Sequence, residues 1–135
     1  MSNQTISLSD ELYDYLLDVS LREHPVLQRL RAETMTLEMS NMQIAPEQGQ
    51  FMALLVELLG ARRIIEVGTF TGYSALCMAQ AMPEGGELIC CDLSEQWTEI
   101  GAPFWERAGV RQRIDLRIAP ALETLDELLA SGHAG

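Results

Sequence analysis

The sequence predicts an α/β domain of the doubly wound type, in which helices cover both faces of a parallel sheet. Two short, mainly apolar segments, 64–67 and 88–91, have the length and composition of buried parallel strands. Segments with helical periodicity alternate with them, and a glycine-bounded turn connects the first strand to a helix. The predicted order α-α-α-β-α-β-α-β-α is the pattern of a doubly wound sheet.

Two helices are predicted before the first strand, within an N-terminal helical arm over residues 1–45. The first runs from Ser9 to Ser20, with Ser7 or Ser9 as its cap and an apolar stripe along one side. Pro25 suits the first turn of the second helix. Both helices could simply pack against the domain.

A third helix is predicted after an extended loop at 41–45. Pro46 and Glu47 begin this helix, and Gly60 ends it. Its apolar side chains recur at helical spacing, so we expect them in the core: Met52, Leu55, Val56 and Leu59.

The remaining chain alternates strands and helices. The first strand is apolar enough to be buried on both faces, whereas the third alternates with charged residues, as an edge strand does. Pro103 should kink or break the helix that Ser94 caps. The predicted elements are strands 62–67, 87–91 and 113–118 and helices 74–82, 94–109 and 121–129.

Composition limits the possible functions. The chain has 135 residues, 47% hydrophobic, which suits one domain, and its net charge of −11 argues against nucleic-acid binding. No apolar run approaches membrane-spanning length, and the first residues have neither the basic nor the apolar region typical of a signal peptide, so we expect none. The three cysteines lack metal-ligand spacing and are typical of buried, reduced thiols in a cytoplasmic protein.

The glycine-bounded turn indicates a binding site. Gly68 and Gly72 permit a tight reversal and leave backbone exposed to a ligand at the start of a helix. The spacing is E-x-G-x-x-x-G-x-S, so the dinucleotide fingerprint G-x-G-x-x-G is not met. Asp92 follows the next strand, about 20 residues beyond the turn, where a carboxylate can accept hydrogen bonds from two ribose hydroxyls. The pattern favours S-adenosylmethionine (SAM) over a nicotinamide cofactor, so a nicotinamide-dependent reductase is disfavoured.

Several ordered blocks carry a resemblance to a known family. The chain resembles the caffeoyl-CoA-type O-methyltransferases, relatives of catechol O-methyltransferase, from about residue 40 to the last helix. The resemblance implies a Rossmann-like SAM-methyltransferase fold, truncated here to the N-terminal helices and the first three parallel strands of one SAM-binding domain over residues 1–135. The blocks are MQIAPEQGQF, IIEVGTFTGYSAL, CCDLSEQW, IGAPFWERAGV and RIDLRIAPALETLDELL.

The resemblance implies a role for each candidate cofactor-binding residue. Ile44, Gly68 and Thr69 would contact SAM through their backbone, and Glu66 would lie beside the methionine portion, where it attracts the ammonium group. Ser74 would hold the SAM carboxylate together with helix N–H groups. The full set of predicted residues is Ile44, Glu66, Gly68, Thr69, Gly72, Ser74, Asp92 and Ala121.

Simpler interpretations stay open for some of these positions. Ala121 matches a position whose backbone contacts adenine, but Glu66 could be a solvent-facing acid and Ser74 a plain helix cap. Trp97 could stack on adenine or only pack. We expect His24 and His133 to be surface residues without hydrogen-bonding partners.

The expected activity is SAM-dependent methylation of a small, catechol-like hydroxyl substrate. In the family, a divalent cation such as Mg²⁺ is held by aspartates and an asparagine that would follow Gly135, so no catalytic or metal-ligating residue is assigned here. We therefore expect this chain alone to be inactive. The alternative is a non-catalytic SAM-binding or assembly fragment.

We also expect a homo-oligomer, specifically a dimer. In the resembled fold a fourth strand pairs with the first, and without it the first strand has an open edge that invites another chain. The resemblance implies that the N-terminal helices also cover the substrate end and add a dimer contact.

Overall fold

The computed structural model describes residues 8–133, and the order of its helices and strands is the predicted one. Within that range lie helices α1 (Asp10–Ser20), α2 (Pro25–Thr34), α3 (Pro46–Leu59), α4 (Tyr73–Ala81), α5 (Glu95–Arg107) and α6 (Ala121–Ala130). The strands are β1 (Arg63–Val67), β2 (Glu87–Asp92) and β3 (Ile114–Ile118). Short 3₁₀ turns occupy Ser40–Met42 and Arg111–Arg113. No helix in the described range is long and apolar enough to cross a membrane.

The three strands form a parallel sheet in the order β1-β2-β3. Ile89 at the centre of β2 is in register with Ile65 of β1 and with Asp115 of β3. Four of the six residues of β2 are buried, which explains its continuous apolar run, and β3 lies at an edge as its alternation predicted. All three strands therefore end at the same side of the sheet, next to the glycine turn.

The prediction that β1 is buried on both faces is wrong. Ile65 is 47% exposed and Val67 is 62% exposed. Among the described residues β2 is the strand that pairs with β1, which makes β1 an edge strand. On the face that Ile65 and Val67 share, α6 packs over Ile89 and Cys91 of β2 and does not extend over β1.

The main core lies on the other face of the sheet. Side chains from α2, α3, α4 and α5 pack there against Leu88 and Cys90 of β2, around the fully buried Leu30, Leu76 and Trp105. A smaller cluster beneath α6 contains Ile89, Cys91 and Leu128. Helices thus cover both faces of the sheet, as the doubly wound prediction requires.

The N-terminal helices differ in how they pack. Within the region 1–45, α2 buries Val26, Leu27, Leu30 and Thr34, whereas α1 buries no residue. The predicted core stripe of α3 is only partly correct, because Val56 is buried but Leu55 is 40% exposed and Leu59 is 78% exposed. These two side chains line an apolar groove beside Ile64 of β1, at the uncovered edge of the sheet.

Local signals explain most helix ends. Ser9 and Ser94 cap α1 and α5 through their side chains, and Gly60 adopts the left-handed conformation that ends α3. The ring Nδ1 of His24 accepts a hydrogen bond from the N–H of Val26 and caps α2. The prediction that His24 lacks a partner is therefore wrong, although the side chain is exposed as expected. α5 continues unbroken through Pro103.

Gly72 is the residue on which the close packing of α4 and α5 depends. Its φ is +79°, and an added Cβ would lie 2.2 Å from the Trp105 ring. The indole Nε1 of Trp105 donates a 3.1 Å hydrogen bond to the Gly72 carbonyl. A side chain at this position would therefore push a fully buried tryptophan out of the core.

We predict that Gly72→Ala lowers the free energy of unfolding by about 3 kcal/mol, through the strained φ and the steric clash. Gly60→Ala is the matched control, since Gly60 also has positive φ, at +57°, but nothing lies within 4 Å of an added Cβ. That control should cost only about 1 kcal/mol. Urea unfolding measures both values, and equal losses would contradict the proposed packing role.

Candidate functional site

The turn between β1 and α4 has an unusual backbone. Gly68 and Gly72 have φ values of +87° and +79°, and Phe70 between them has φ +52°. Positive φ is uncommon for a bulky residue and requires compensating contacts. The two glycines were identified from the sequence, whereas the conformation of Phe70 was not.

Asp92, at the end of β2, supplies those contacts. Its Oδ2 accepts hydrogen bonds from the N–H groups of Thr69 at 2.8 Å and Phe70 at 2.7 Å. Its Oδ1 accepts the N–H of Ser94 at 2.8 Å. A carboxylate has about four accepting positions, so about one remains, on Oδ1. The sequence-based expectation of two bonds to ribose hydroxyls therefore exceeds what this arrangement leaves available.

The backbone N–H groups of the turn are also used within the chain. The N–H of Gly68 donates to the Cys91 carbonyl at 2.9 Å, and that of Thr69 donates to Asp92. Because the Gly68 N–H is already bonded, the backbone contact expected between Gly68 and a ligand would be made by the Gly68 carbonyl. These bonds fix the turn to the end of β2.

Glu66 is a buried acid on β1, with 9% of its surface exposed. Its carboxylate accepts hydrogen bonds from the hydroxyl of Ser74 and from the thiol of Cys90, the latter at 3.5 Å. Burial raises the pKa of Glu66 above its ordinary value, and hydrogen bonding by Ser74, Cys90 and the Thr69 hydroxyl partly offsets the rise. The interpretation of Glu66 as a solvent-facing acid is therefore wrong.

The start of α4 faces the same region. Ser74 lies in its first turn, and no side chain caps this helix end. Uncapped N–H groups and the helix dipole favour an anionic group there. Because the Ser74 hydroxyl donates to Glu66, an anion at this end would be held by backbone N–H groups.

Two pockets meet at Gly68. The smaller, of ≈ 60 Å³, lies between the turn and the loop before α3, and the larger, of ≈ 290 Å³, lies between the ends of β2 and β3. The smaller is lined by Met42, Gln43, Ile44, Gly68, Thr69, Phe70, Thr71, Tyr73 and Ser74. The larger is lined by Val67, Gly68, Cys91, Asp92, Leu93, Ser94, Trp97, Ala119 and Ala121.

The smaller pocket contains unsatisfied polar atoms. Across the described residues, the buried side-chain oxygens without a hydrogen-bonding partner are Gln43 Oε1 and Thr69 Oγ1, and both residues line this pocket. The Thr69 hydroxyl lies near Glu66 and helps to lower the pKa of that carboxyl. Because an unpaired buried oxygen is costly, Gln43 Oε1 is the atom that indicates a place for a hydrogen-bond donor. Sequence reasoning missed Gln43, whose only signal was its position beside Ile44.

Six of the eight predicted site residues line these pockets. Ile44, Thr69 and Ser74 line the smaller one, Asp92 and Ala121 the larger one, and Gly68 both. Glu66 lies behind Ser74, and Gly72 packs on Trp105, so neither lines a pocket.

The residues present do not form a metal site. Within 8–133, no three His, Cys, Asp or Glu side chains are grouped so that they could hold a metal ion. His133 is exposed, and its Nδ1 lies 2.9 Å from the Ser131 hydroxyl, so the prediction that it lacks a partner is wrong.

Comparison with known proteins relates this arrangement to a family. The O-methyltransferase family profile matches residues 17–135. Catechol O-methyltransferase domain-containing protein 1 from Mus musculus is 47% identical over 124 residues, 92% of this chain and 47% of that protein. Caffeoyl-CoA O-methyltransferase 1 from Zea mays is 39% identical over 132 residues, 96% of this chain and 51% of that protein. The chain thus spans about half the length of these relatives.

A solved structure gives the same relationship. The O-methyltransferase from Bacillus cereus, in complex with SAH, matches with a TM-score of 0.79 and 30% identity, over 87% of this chain and 53% of that chain. The three parallel strands and flanking helices form the corresponding part of a Rossmann-like fold. From the profile match over most of its length and from these relatives, we conclude that the chain belongs to the O-methyltransferase family.

Proposed function

We propose that this chain is the cofactor-binding part of a cytoplasmic, SAM-dependent O-methyltransferase that methylates a catechol-like hydroxyl. The observation that carries the proposal is the pair of pockets that meet at Gly68. One is mainly apolar and includes the carboxylate of Asp92, and the other holds the unpaired Gln43 oxygen beside an uncapped helix start. SAM has the same two parts, a nucleoside and a charged amino-acid tail.

The larger pocket would hold the nucleoside. Its lining is mainly apolar, which suits a flat base, and Ala119 and Ala121 leave room because their side chains are small. The remaining accepting position on Asp92 Oδ1 would take one ribose hydroxyl. The Gly68 carbonyl lies where the two parts of the cofactor would join.

The smaller pocket would hold the amino-acid tail. The N–H groups at the start of α4 would bind its carboxylate, and the Gln43 Oε1 oxygen would accept from its ammonium group. Ile44 would contribute backbone, as the family resemblance implies. Glu66 lies behind Ser74, and its buried negative charge would attract the ammonium group.

The acceptor is proposed from the names of the relatives, which refer to catechol and caffeoyl-CoA. The described residues do not fit a divalent cation, so no step of the reaction is assigned to one here. This chain would bind the methyl donor and hold it in one orientation, so that an acceptor oxygen can reach the methyl group. The three free, buried cysteines suit a reducing compartment such as the cytoplasm.

We also propose self-association at the β1 edge. Apolar side chains flank this strand on both faces of the sheet, Leu55 and Leu59 on one and Ile65 and Val67 on the other. A second copy that pairs its own β1 here would extend the sheet and cover these side chains.

Binding of S-adenosylhomocysteine, the product left when SAM loses its methyl group, tests the proposed function. We predict a micromolar-range Kd by calorimetry and no comparable binding of NADH. Ala121→Phe should abolish binding because it fills the larger pocket. Leu122→Phe is the matched control, since Leu122 is 77% exposed and lines neither pocket. Failure of the wild-type chain to bind, or binding by Ala121→Phe, would contradict the proposal.

Glu66→Gln should separate stability from binding. Burial raises the pKa of Glu66 in the folded chain, so folding favours the neutral carboxyl. The free energy of unfolding therefore falls as pH rises from about 4.5, the ordinary pKa of a glutamate, through the raised pKa of the folded chain. The variant, always neutral, should unfold at a higher temperature than wild type at pH 8. It should bind S-adenosylhomocysteine about tenfold more weakly, because the charge opposite the ammonium is removed.

The exposed Glu99→Gln is the control for the Glu66 experiment, since it also removes one negative charge but lies outside both pockets. It should change neither property. Weaker stability of Glu66→Gln at pH 8, or unchanged binding, would count against the role proposed for Glu66.

Light scattering tests the proposed association. The 15.0 kDa chain should elute as a species of about twice that mass at micromolar concentration. Ile65→Lys should give the monomer, because it places a charge in the proposed interface, whereas Leu129→Lys on α6 should not. A wild-type monomer across this concentration range would contradict the dimer.

A further inference from the structure

Trp97 is an aromatic residue whose environment differs from that of a core side chain. The chain has two tryptophans, and Trp105 is completely buried with its indole N–H bonded to Gly72. Trp97 is only partly buried and lines the larger pocket together with Asp92 and Ala121. Trp97 therefore has surface that a ligand in this pocket could contact.

The Trp97 ring is held in place by its neighbours. Trp97 lies in the first turn of α5, where its backbone N–H donates to the capping hydroxyl of Ser94 at 3.3 Å. Its ring meets the ring of Phe70 edge to face, with centroids 5.1 Å apart and planes at 78°. Phe70 is itself fixed by the bond from its N–H to Asp92. The indole is therefore positioned before any ligand arrives.

Trp97 is also the aromatic member of the larger pocket. The other lining residues are small or aliphatic, apart from the acid Asp92 and the thiol of Cys91. A flat heteroaromatic base gains most from a flat aromatic partner, and stacking of a base on an aromatic side chain contributes about 1–3 kcal/mol.

We propose that Trp97 recognises the base of the cofactor by stacking against it, within the site described under the proposed function and dependent on it. Phe70 lines the smaller pocket and Trp97 lines the larger one. The aromatic pair thus connects the two parts of the site. Trp97 would fix the position of the base, while Phe70 fixes the position of Trp97.

Two substitutions at Trp97 test this inference by calorimetry. Trp97→Phe retains an aromatic ring and should bind S-adenosylhomocysteine within about threefold of wild type. Trp97→Leu retains only apolar bulk and should bind about tenfold more weakly, at the lower end of the stacking range. Equal affinity of Trp97→Leu and wild type would show that Trp97 only packs.

A second ligand separates base recognition from general damage. 5′-Methylthioadenosine contains the base and ribose but lacks the amino-acid tail. Trp97→Leu should weaken its binding by the same factor as for S-adenosylhomocysteine, because both ligands carry the base. A loss confined to the ligand with the tail would overturn the proposal.

Tryptophan fluorescence gives an independent readout. S-adenosylhomocysteine should quench wild-type emission through Trp97, and Trp97→Phe should lose this change while keeping its affinity, since only the buried Trp105 remains. Persistent quenching in Trp97→Phe would contradict stacking at Trp97. If the wild-type chain binds neither ligand, the proposed function itself is wrong. If the wild-type chain binds both ligands and Trp97→Leu binds them equally well, only the Trp97 proposal is wrong.

Discussion

The carboxylate of Asp92 is the interaction on which the geometry of this site depends. It accepts three backbone hydrogen bonds, from two residues of the turn after β1 and from one residue at the start of α5. Such charge-assisted bonds are stronger than neutral ones and offset the strain of Phe70 at positive φ. Asp92 thus joins β1, β2 and α5 at the point where the two pockets meet.

Close packing of uncharged residues of α5 holds the turn between β1 and α4 from its other side. Trp105 packs against Gly72, and an added Cβ on Gly101 of α5 would lie 2.3 Å from the Thr71 carbonyl. Glycine at both positions lets a helix approach the turn backbone closely. The site is therefore shaped by Asp92 at its edge and by close packing behind it. This arrangement explains why Gly72 lies outside both pockets although its motif marks the site.

Much of the fold follows from local sequence signals, because capping residues, glycines and apolar spacing act over short distances. Ser9, Gly60 and Ser94 mark helix ends that the structure shares, and the order of strands and helices agrees with the prediction. The open edge of β1 was expected, but burial of both faces of this strand was mispredicted, since an apolar run does not show what covers it. Leu59 and Val67 are exposed because no described helix or strand covers them.

Within the site, the sequence indicated which residue types gather but not which bonds they make. Asp92 could be identified as an acid after β2, yet its bonds to the turn depend on tertiary geometry. Gln43 carries no motif, and its unpaired oxygen becomes visible only beside Thr69 in the folded chain. The aromatic pair of Phe70 and Trp97 joins residues that are distant in sequence and so gives no local pattern.

A crystal structure of this chain with S-adenosylhomocysteine would show whether the two pockets at Gly68 hold the two parts of the cofactor. We expect the base between Trp97 and Ala121, one ribose hydroxyl on Asp92 Oδ1, and the amino-acid tail between Gln43 and the start of α4. The bonds from Asp92 to Thr69 and Phe70 should persist in the complex. A nucleoside bound elsewhere, or an Asp92 that releases the turn to bind both ribose hydroxyls, would contradict this arrangement.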